Sequence, residues 1–261
     1  MANRLQDKVI IVTGASRGLG KYMALGMAAE GACVVVAART EQATHAILTG
    51  TIYETAQEIE QAGGVALPVR CNVADPESIE SMVAATLARF GRIDVLVNNA
   101  GIQPAGRIAT IQPRHFELEL RINVNGPFWC TRAVQEQMQQ QGGGAVINIS
   151  SAAANREGLS GHYGVTKIAL EWMTKAFANE LADAGIAVNA LKPRGVIDTP
   201  GARFGRGGNE PQNADPKEDF VEASVILATA TPATLTGEAL FEHEVLARFG
   251  RGASLAPSPH G

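Results

Sequence analysis

Tyr163 and Lys167 stand four positions apart in His162-Tyr-Gly-Val-Thr-Lys167, downstream of a serine pair, Ser150-Ser151. A phenol, an ammonium and a hydroxyl in this order can move a proton. A tyrosine with its ordinary pKa of about 10 can donate to an oxygen, but regains the proton sluggishly as a base. A lysine four positions on lies on the same helix face, and its charge favours the tyrosinate. Serine can hold a carbonyl oxygen by a hydrogen bond. Taken alone, the pair reads equally well as a half-buried tyrosine and a solvated lysine. What lifts it above that reading is a nucleotide-type turn earlier in the chain, which adds a partner for proton-coupled hydride transfer.

That turn is Thr13-Gly-Ala-Ser-Arg-Gly-Leu-Gly20, placed between an apolar strand and a helix. A strand–glycine turn–helix succession aims the free N–H groups of the helix N-terminus at an anion. Gly14 permits the tight turn, Gly18 lets the backbone approach a pyrophosphate, and Gly20 lets the helix pack on the sheet. Gly14, Ser16, Arg17, Gly18, Leu19 and Gly20 are the expected contacts. At the end of the second strand, an NAD site would place an acid against the ribose 2′-hydroxyl. This chain instead has Val36-Ala-Ala-Arg39, with no acid before Glu41. Arg39, flanked by Arg17, suits a 2′-phosphate, because guanidinium pairs with phosphate oxygens in a bidentate fashion. NADP(H) is therefore the expected cofactor, with NAD(H) as the alternative if both arginines are solvated surface groups. Asn72-Val73 and Asn98-Asn-Ala-Gly101 follow the third and fourth strands. There Asn72 and Val73 border the adenine, and Asn99, Ala100 and Gly101 let the backbone lie against the ligand.

The elements that must position these groups alternate in the manner of a parallel sheet with crossover helices. Strands are predicted at Val9–Val12, Cys33–Ala37, Val65–Cys71, Ile93–Asn98, Ala145–Ser150 and Ile186–Lys192. Val9-Ile-Ile-Val12 and Val34-Val-Val36 are apolar throughout, as strands covered on both faces require. Helices are predicted near 18–30, 51–62, 76–90, 113–140, 161–183 and 216–229, with Thr51 capping the second and Asp75-Pro76 opening the third. The fold class is α/β: a Rossmann-type, doubly wound parallel sheet of about seven strands with helices on both faces. One domain over 1–250 is expected, with 251–261 as an unpacked tail. Two segments break the rhythm: a long connection at 40–51, and a Gly-, Pro- and Asn-rich stretch at 198–216. Long loops in compact domains are usually functional or disordered.

These motifs together resemble the short-chain dehydrogenase/reductase family. The resemblance runs from about Lys8 to Gly237 and rests on Thr13–Gly20, Asn98–Gly101, Arg121-Ile-Asn-Val-Asn-Gly126, Val146-Ile-Asn-Ile-Ser-Ser151, Tyr163–Lys167, Val188-Asn-Ala-Leu-Lys-Pro193 and Leu235-Thr-Gly237. It implies that Tyr163 is the catalytic acid/base, that Lys167 lowers its pKa and binds ribose, and that a serine orients the substrate carbonyl. It implies that Asn123 holds a water relaying protons from Lys167, and that Pro193, Ile197 and Thr199 flank the nicotinamide. The serine has two candidates. Ser150 has the family spacing of thirteen residues before the tyrosine, whereas strand register favours Ser151, and Ser151 is preferred here. Leu48-Thr-Gly-Thr-Ile-Tyr-Glu-Thr55 and a Pro193–Thr199 passage one residue longer than usual are similar to the hydroxysteroid dehydrogenase-like subgroup. The resemblance is weakest at the C-terminus, where Glu242-His-Glu-Val245 replaces the usual Asp-Gly-Gly.

The expected activity is NADPH-dependent carbonyl reduction, reversible as alcohol oxidation; a non-catalytic NADP-binding sensor of the same fold is the alternative. Substrate identity falls to residues 152–162 and 198–216, where Ala152, Ala153, Ala154 and Leu159 suggest an apolar wall. Arg156, Arg203 and Arg206 either meet a carboxylate or face water. His162 reads as a pocket-rim or surface residue, and no histidine spacing suggests a metal. The net charge of −4 gives no footprint for nucleic acid, and no apolar run approaches a membrane span. The N-terminal segment has no signal-peptide pattern, and three scattered cysteines in apolar segments fit a reducing, cytoplasmic setting. Helices 113–140 and 161–183 are apolar enough to expect a homodimer or homotetramer.

Overall fold

A computed structural model describes residues 3–43, 45–155 and 161–255. Seven parallel strands form one sheet in the order β3-β2-β1-β4-β5-β6-β7. They are β1 (Val9–Thr13), β2 (Cys33–Ala38), β3 (Val65–Arg70), β4 (Val95–Asn98), β5 (Gly144–Ile149), β6 (Ile186–Lys192) and β7 (Ala239–Phe241). The central strands are apolar at every position because both faces are covered. Ile10 and Val12 of β1 enter one core with Val34 and Val36, while Val9 and Ile11 enter the other with Val35. Each such side chain, fully buried, contributes about 1.5–3 kcal/mol.

The crossover helices are α1 (Gly18–Ala29), α2 (Ile52–Gln61), α3 (Pro76–Phe90), α4 (Pro113–Leu120), α5 (Gly126–Gln140), α6 (Gly161–Leu181), α7 (Pro200–Phe204), α8 (Lys217–Ala228) and α9 (Glu242–Phe249). Their ends follow the capping chemistry of the sequence. Thr51 closes a capping box with Glu54, and Asp75 accepts a hydrogen bond from Glu77 N ahead of Pro76. Gly91 ends α3 in the left-handed region at φ 75°.

Four features differ from the sequence expectation. The helix expected over 113–140 is broken by a π turn at Arg121–Asn125, which joins α4 to α5. Such bulges concentrate at functional sites. Second, the short helix α7 lies inside the 198–216 stretch. At the C-terminus β7 pairs in parallel with β6, Ala190 opposite Ala239, and the chain passes straight into α9. The departure from Asp-Gly-Gly thus leaves the last strand in place. The described part of the expected tail is also packed. Leu255 N donates to Thr229 Oγ1 at 2.6 Å, Gly252 N donates to Glu222, and Arg251 pairs with Asp219. Among the described residues no helix is long and apolar enough to cross a membrane.

The strand order reverses between β1 and β4, and crevices in such sheets open at this switch point, outside the carboxyl ends of the strands. Thr13, Ala38, Arg70, Asn98 and Ile149 all terminate strands there. The sequence motifs meet at that edge.

Candidate active site

A cleft of about 440 Å³ lies along this edge. Gly14, Ser16, Arg17, Gly18, Leu19 and Gly20 line one side, with Arg39, Asn72, Val73, Asn99, Ala100, Gly101, Tyr163 and Thr199 around the rest. Pro193 and Ile197 do not line it; Ile197 is buried and bridges Asp215 instead. The glycine turn is a cradle in which side chains do not fit. A Cβ on Gly14 would lie 2.9 Å from the Ala100 backbone, and one on Gly20 2.5 Å from Gly14 O. Gly14 and Gly18 also take φ of 68° and 56°, which glycine adopts freely. The first turn of α1 has no side-chain cap, so its N–H groups remain available to an anion. This cradle fits a dinucleotide pyrophosphate.

Thr13 and Asn99 hold the turn rigid. Thr13 Oγ1 donates to Val97 O and accepts from Asn99 N and Ala100 N, while Asn99 Nδ2 donates to Thr13 O at 2.8 Å. Behind them, Asn98 Nδ2 donates to Asn148 Oδ1 and Asn148 Nδ2 to Thr174 Oγ1, a buried ladder joining β4, β5 and α6. Asn72 is already occupied: its side-chain oxygen accepts from Ala74 N at 3.3 Å, closing a turn.

Arg17 reaches into the 40–51 connection, donating to Leu48 O at 2.6 Å and Thr40 Oγ1 at 2.8 Å. Burial and the nearby charge of Arg39 both depress its pKa. Arg39 is exposed at the cleft rim. Glu41, the first acid after β2, is engaged by Tyr53 and Arg70. From the 198–216 stretch, Phe204 reaches this end, its ring 5.3 Å from His45.

The proton-handling groups come together at the other end. Lys167 is buried and donates from Nζ to Ile149 O at 2.7 Å, with Nζ 5.6 Å from the Tyr163 ring centroid. Burial lowers its pKa to about 8, opposed by Glu119 and Glu171. Burial pushes Tyr163 up to about 12, against a hydrogen bond with Ser151 that pulls it down. Within the protein alone, then, burial sets the direction, and the expected depression of the phenol is absent.

The two serines diverge. Ser151 Oγ accepts from Ala153 N as an N-cap and lies near enough to Tyr163 to pull its pKa down, whereas Ser150 Oγ donates to Glu171 Oε1 at 2.7 Å. Glu171 also binds Lys192, whose Nζ in turn donates to Asn155 Oδ1. Asn123 is turned inward by the π turn. Its amide grips both backbone groups of Ile102, at 2.9 and 2.8 Å, and donates to Thr166 Oγ1. A Cβ on Gly101 would stand 3.3 Å from Asn123 Oδ1 and 3.7 Å from Lys167 Nζ, so glycine keeps the gap between them open.

Three expectations about the substrate side change. His162 is buried rather than at a rim, with Nδ1 2.6 Å from Glu119 Oε2. Glu119 went unnoticed in the sequence, although it lies four positions before Asn123 on one helix face. Arg203 is neutralised within its own loop by Asp198 and Glu210, and Arg206 donates to Ala202 O. Arg156 and Leu159 lie outside the described residues.

A family model described as short chain dehydrogenase matches residues 8–206. The chain is 40% identical over 195 residues to the short-chain reductase protein NovJ of Streptomyces niveus, covering 75% of this chain and 71% of that one. It is 33% identical over 250 residues to the hydroxysteroid dehydrogenase-like protein 2 of Mus musculus, covering 95% of this chain but only 50% of the mouse protein. A solved short chain dehydrogenase from Mycobacterium thermoresistibile superposes with a TM-score of 0.84 at 29% identity, covering 98% of both chains. A matched family model, relatives along most of the chain and a shared seven-stranded fold make one conclusion: the protein belongs to the short-chain dehydrogenase/reductase family, an NAD(P)-dependent oxidoreductase acting on CH–OH or C=O groups.

Proposed function

We propose that the protein is an NADPH-dependent carbonyl reductase, reversible as an alcohol dehydrogenase, in which Tyr163 exchanges the proton of the substrate oxygen. The observation that carries this reading is Tyr163 in the cleft wall, one helical turn from a buried Lys167 whose Nζ lies 5.6 Å from the phenol ring centroid. When bound, the nicotinamide dinucleotide supplies the hydride. Ser151 orients the carbonyl oxygen toward the phenol, which donates its proton. Lys167 steadies the resulting phenolate by its charge, an effect strengthened because the ammonium is buried. Asn123, across the gap kept by Gly101, holds the far end of the proton path from Lys167.

The glycine cradle and the α1 N-terminus hold the pyrophosphate, Val73 and the Asn99–Gly101 backbone border the ligand, and Thr199 closes the nicotinamide end. The preference for NADPH rests on Arg17 and Arg39 at the cleft, with Glu41, the first acid after β2, already engaged by Tyr53 and Arg70. NADPH oxidation with a panel of ketones, repeated with NADH, tests the reading. Preferred turnover of NADPH supports it, and absent turnover with every ketone overturns it.

A homo-oligomer is part of the same reading. The outer faces of α5 and α6 expose Phe128, Val165, Ile168 and Trp172, the last 73% exposed. Contiguous apolar side chains of this kind favour burial against another subunit.

A further inference from the structure

We propose that Glu119 and His162 are a positioning pair of the active site: the imidazole ties the segment carrying Gly106 to the helix carrying Tyr163, and the carboxylate supplies the negative charge facing Lys167 and Tyr163. The inference rests on the reading above only in taking Tyr163 and Lys167 as the proton-handling groups.

The proton positions follow from the contacts. His162 Nε2 lies 3.2 Å from Gly106 O, which can only accept, so Nε2 carries hydrogen. Nδ1 lies 2.6 Å from Glu119 Oε2, so one further proton lies between them, and with that proton on the ring the carboxylate keeps its charge. The side chains are 3% and 0% exposed, so bulk solvent does not compete for the ring–carboxyl contact. The other carboxylate oxygen, Glu119 Oε1, is buried and has no hydrogen-bond partner among the described residues. Leaving such an atom unmatched costs about 1–3 kcal/mol or more.

The pair stands where three parts of the site meet. Glu119 is on α4, one turn before Asn123, and His162 immediately precedes Tyr163 on α6. The segment they hold is already fixed at Ile102 by Asn123, so His162 provides its second anchor four residues on. Gly106 has φ 140°, and a Cβ there would meet Ile111 Cα at 3.0 Å, which leaves its carbonyl directed by a tightly folded turn.

Several ionisable groups bear on the pair. From α6 they are His162, Lys167 and Tyr163, with Glu171 acting on Lys167 one turn later. Arg121 of the π turn and Arg107 of the clamped segment are exposed. Burial raises the pKa of Glu119 itself, opposed by His162 and Lys167; as a carboxylate, Glu119 opposes the burial that lowers Lys167 and adds to the burial that raises Tyr163.

Lysine carrying 13C at Cε reports each ammonium by NMR, and the signal missing from Lys167→Met identifies Lys167. In Glu119→Gln the amide still donates to Nδ1 but carries no charge. The Lys167 midpoint should fall by about half a pH unit or more; an unmoved midpoint overturns the charge role. Hydrogen exchange of a peptide spanning 102–112 tests the anchor: it should quicken several-fold in His162→Phe and stay unchanged in Glu119→Gln. Equal exchange in wild type and His162→Phe overturns the anchor. If the single variants do not fold, Glu119→Leu combined with His162→Phe removes both polar groups together and gives the same two readings. Neither measurement needs turnover, so a protein lacking reductase activity would fail the proposed function without deciding this one.

Discussion

Ser150 Oγ donates to Glu171 Oε1 at 2.7 Å, and this bond points the first serine of the pair away from the cleft. The next hydroxyl, on Ser151, is the one that pulls the Tyr163 pKa down. Adjacent residues at a strand end face opposite ways, so the two serines carry different tasks.

Ser151→Ala should lower kcat by about 10²–10³, the cost of removing one donor to a developing oxyanion. Ser150→Ala should keep activity within a few-fold but lose about 1.5–3 kcal/mol of stability, because a buried charge loses a partner. Steady-state kinetics and urea unfolding of both variants separate the roles. A Ser150→Ala enzyme that is stable and inactive would reverse the assignment.

The pair was ambiguous in the sequence for a physical reason. Residue spacing to Tyr163 depends on the loop length, whereas orientation depends on the last residue of β5, and only coordinates show that Ile149 ends it. The apolar strands, the glycine turn and the Thr51 and Asp75 caps were legible because each follows from local chemistry. Glu119, His162 and the Lys192–Glu171 pair were not. A charged residue inside an amphipathic segment reads as solvated unless its partner, 43 residues away in the case of His162, is known to be adjacent. The π turn was hidden too, since its residues fit an α-helical pattern.

Arg39→Asp should reverse the cofactor preference. Losing a charge-assisted contact and adding a repulsion should reduce the NADPH-to-NADH ratio of kcat/KM by about 10–100-fold or more. An unchanged ratio would place the discrimination elsewhere.

Lys167 has its pKa lowered to about 8 by burial, so the ammonium is lost as pH rises through that value. Reduction should therefore fall on the alkaline side with an inflection near it in kcat/KM, and a flat profile across that range would contradict the role. The same shift has a stability consequence of defined sign. Below about 8 both folded and unfolded lysine hold the proton, and the burial penalty is fully present; between there and 10.5 the folded state releases it first. The stability difference between Lys167→Met and wild type should thus move in favour of wild type as pH rises through this window, as read by urea unfolding.

Gly101→Val should close the gap between Asn123 and Lys167, since even a Cβ would approach them at 3.3 and 3.7 Å. The expected outcome is a kcat loss of about tenfold or more with the fold retained by circular dichroism, consistent with general acid–base contributions of about 10²–10⁴.

Trp172→Glu should shift the protein toward monomer in light scattering, by placing a charge on the most exposed apolar side chain of α6. An unchanged mass would remove this face from the interface.

The central claim is that Tyr163 donates the proton. Its most direct test is NADPH oxidation with an accepted ketone by wild type and Tyr163→Phe, alongside NADPH binding by fluorescence titration. The account predicts that the variant binds NADPH within a few-fold of wild type and loses about 10²–10⁴ or more in kcat. A Tyr163→Phe enzyme that binds NADPH and reduces the ketone at the wild-type rate would contradict it.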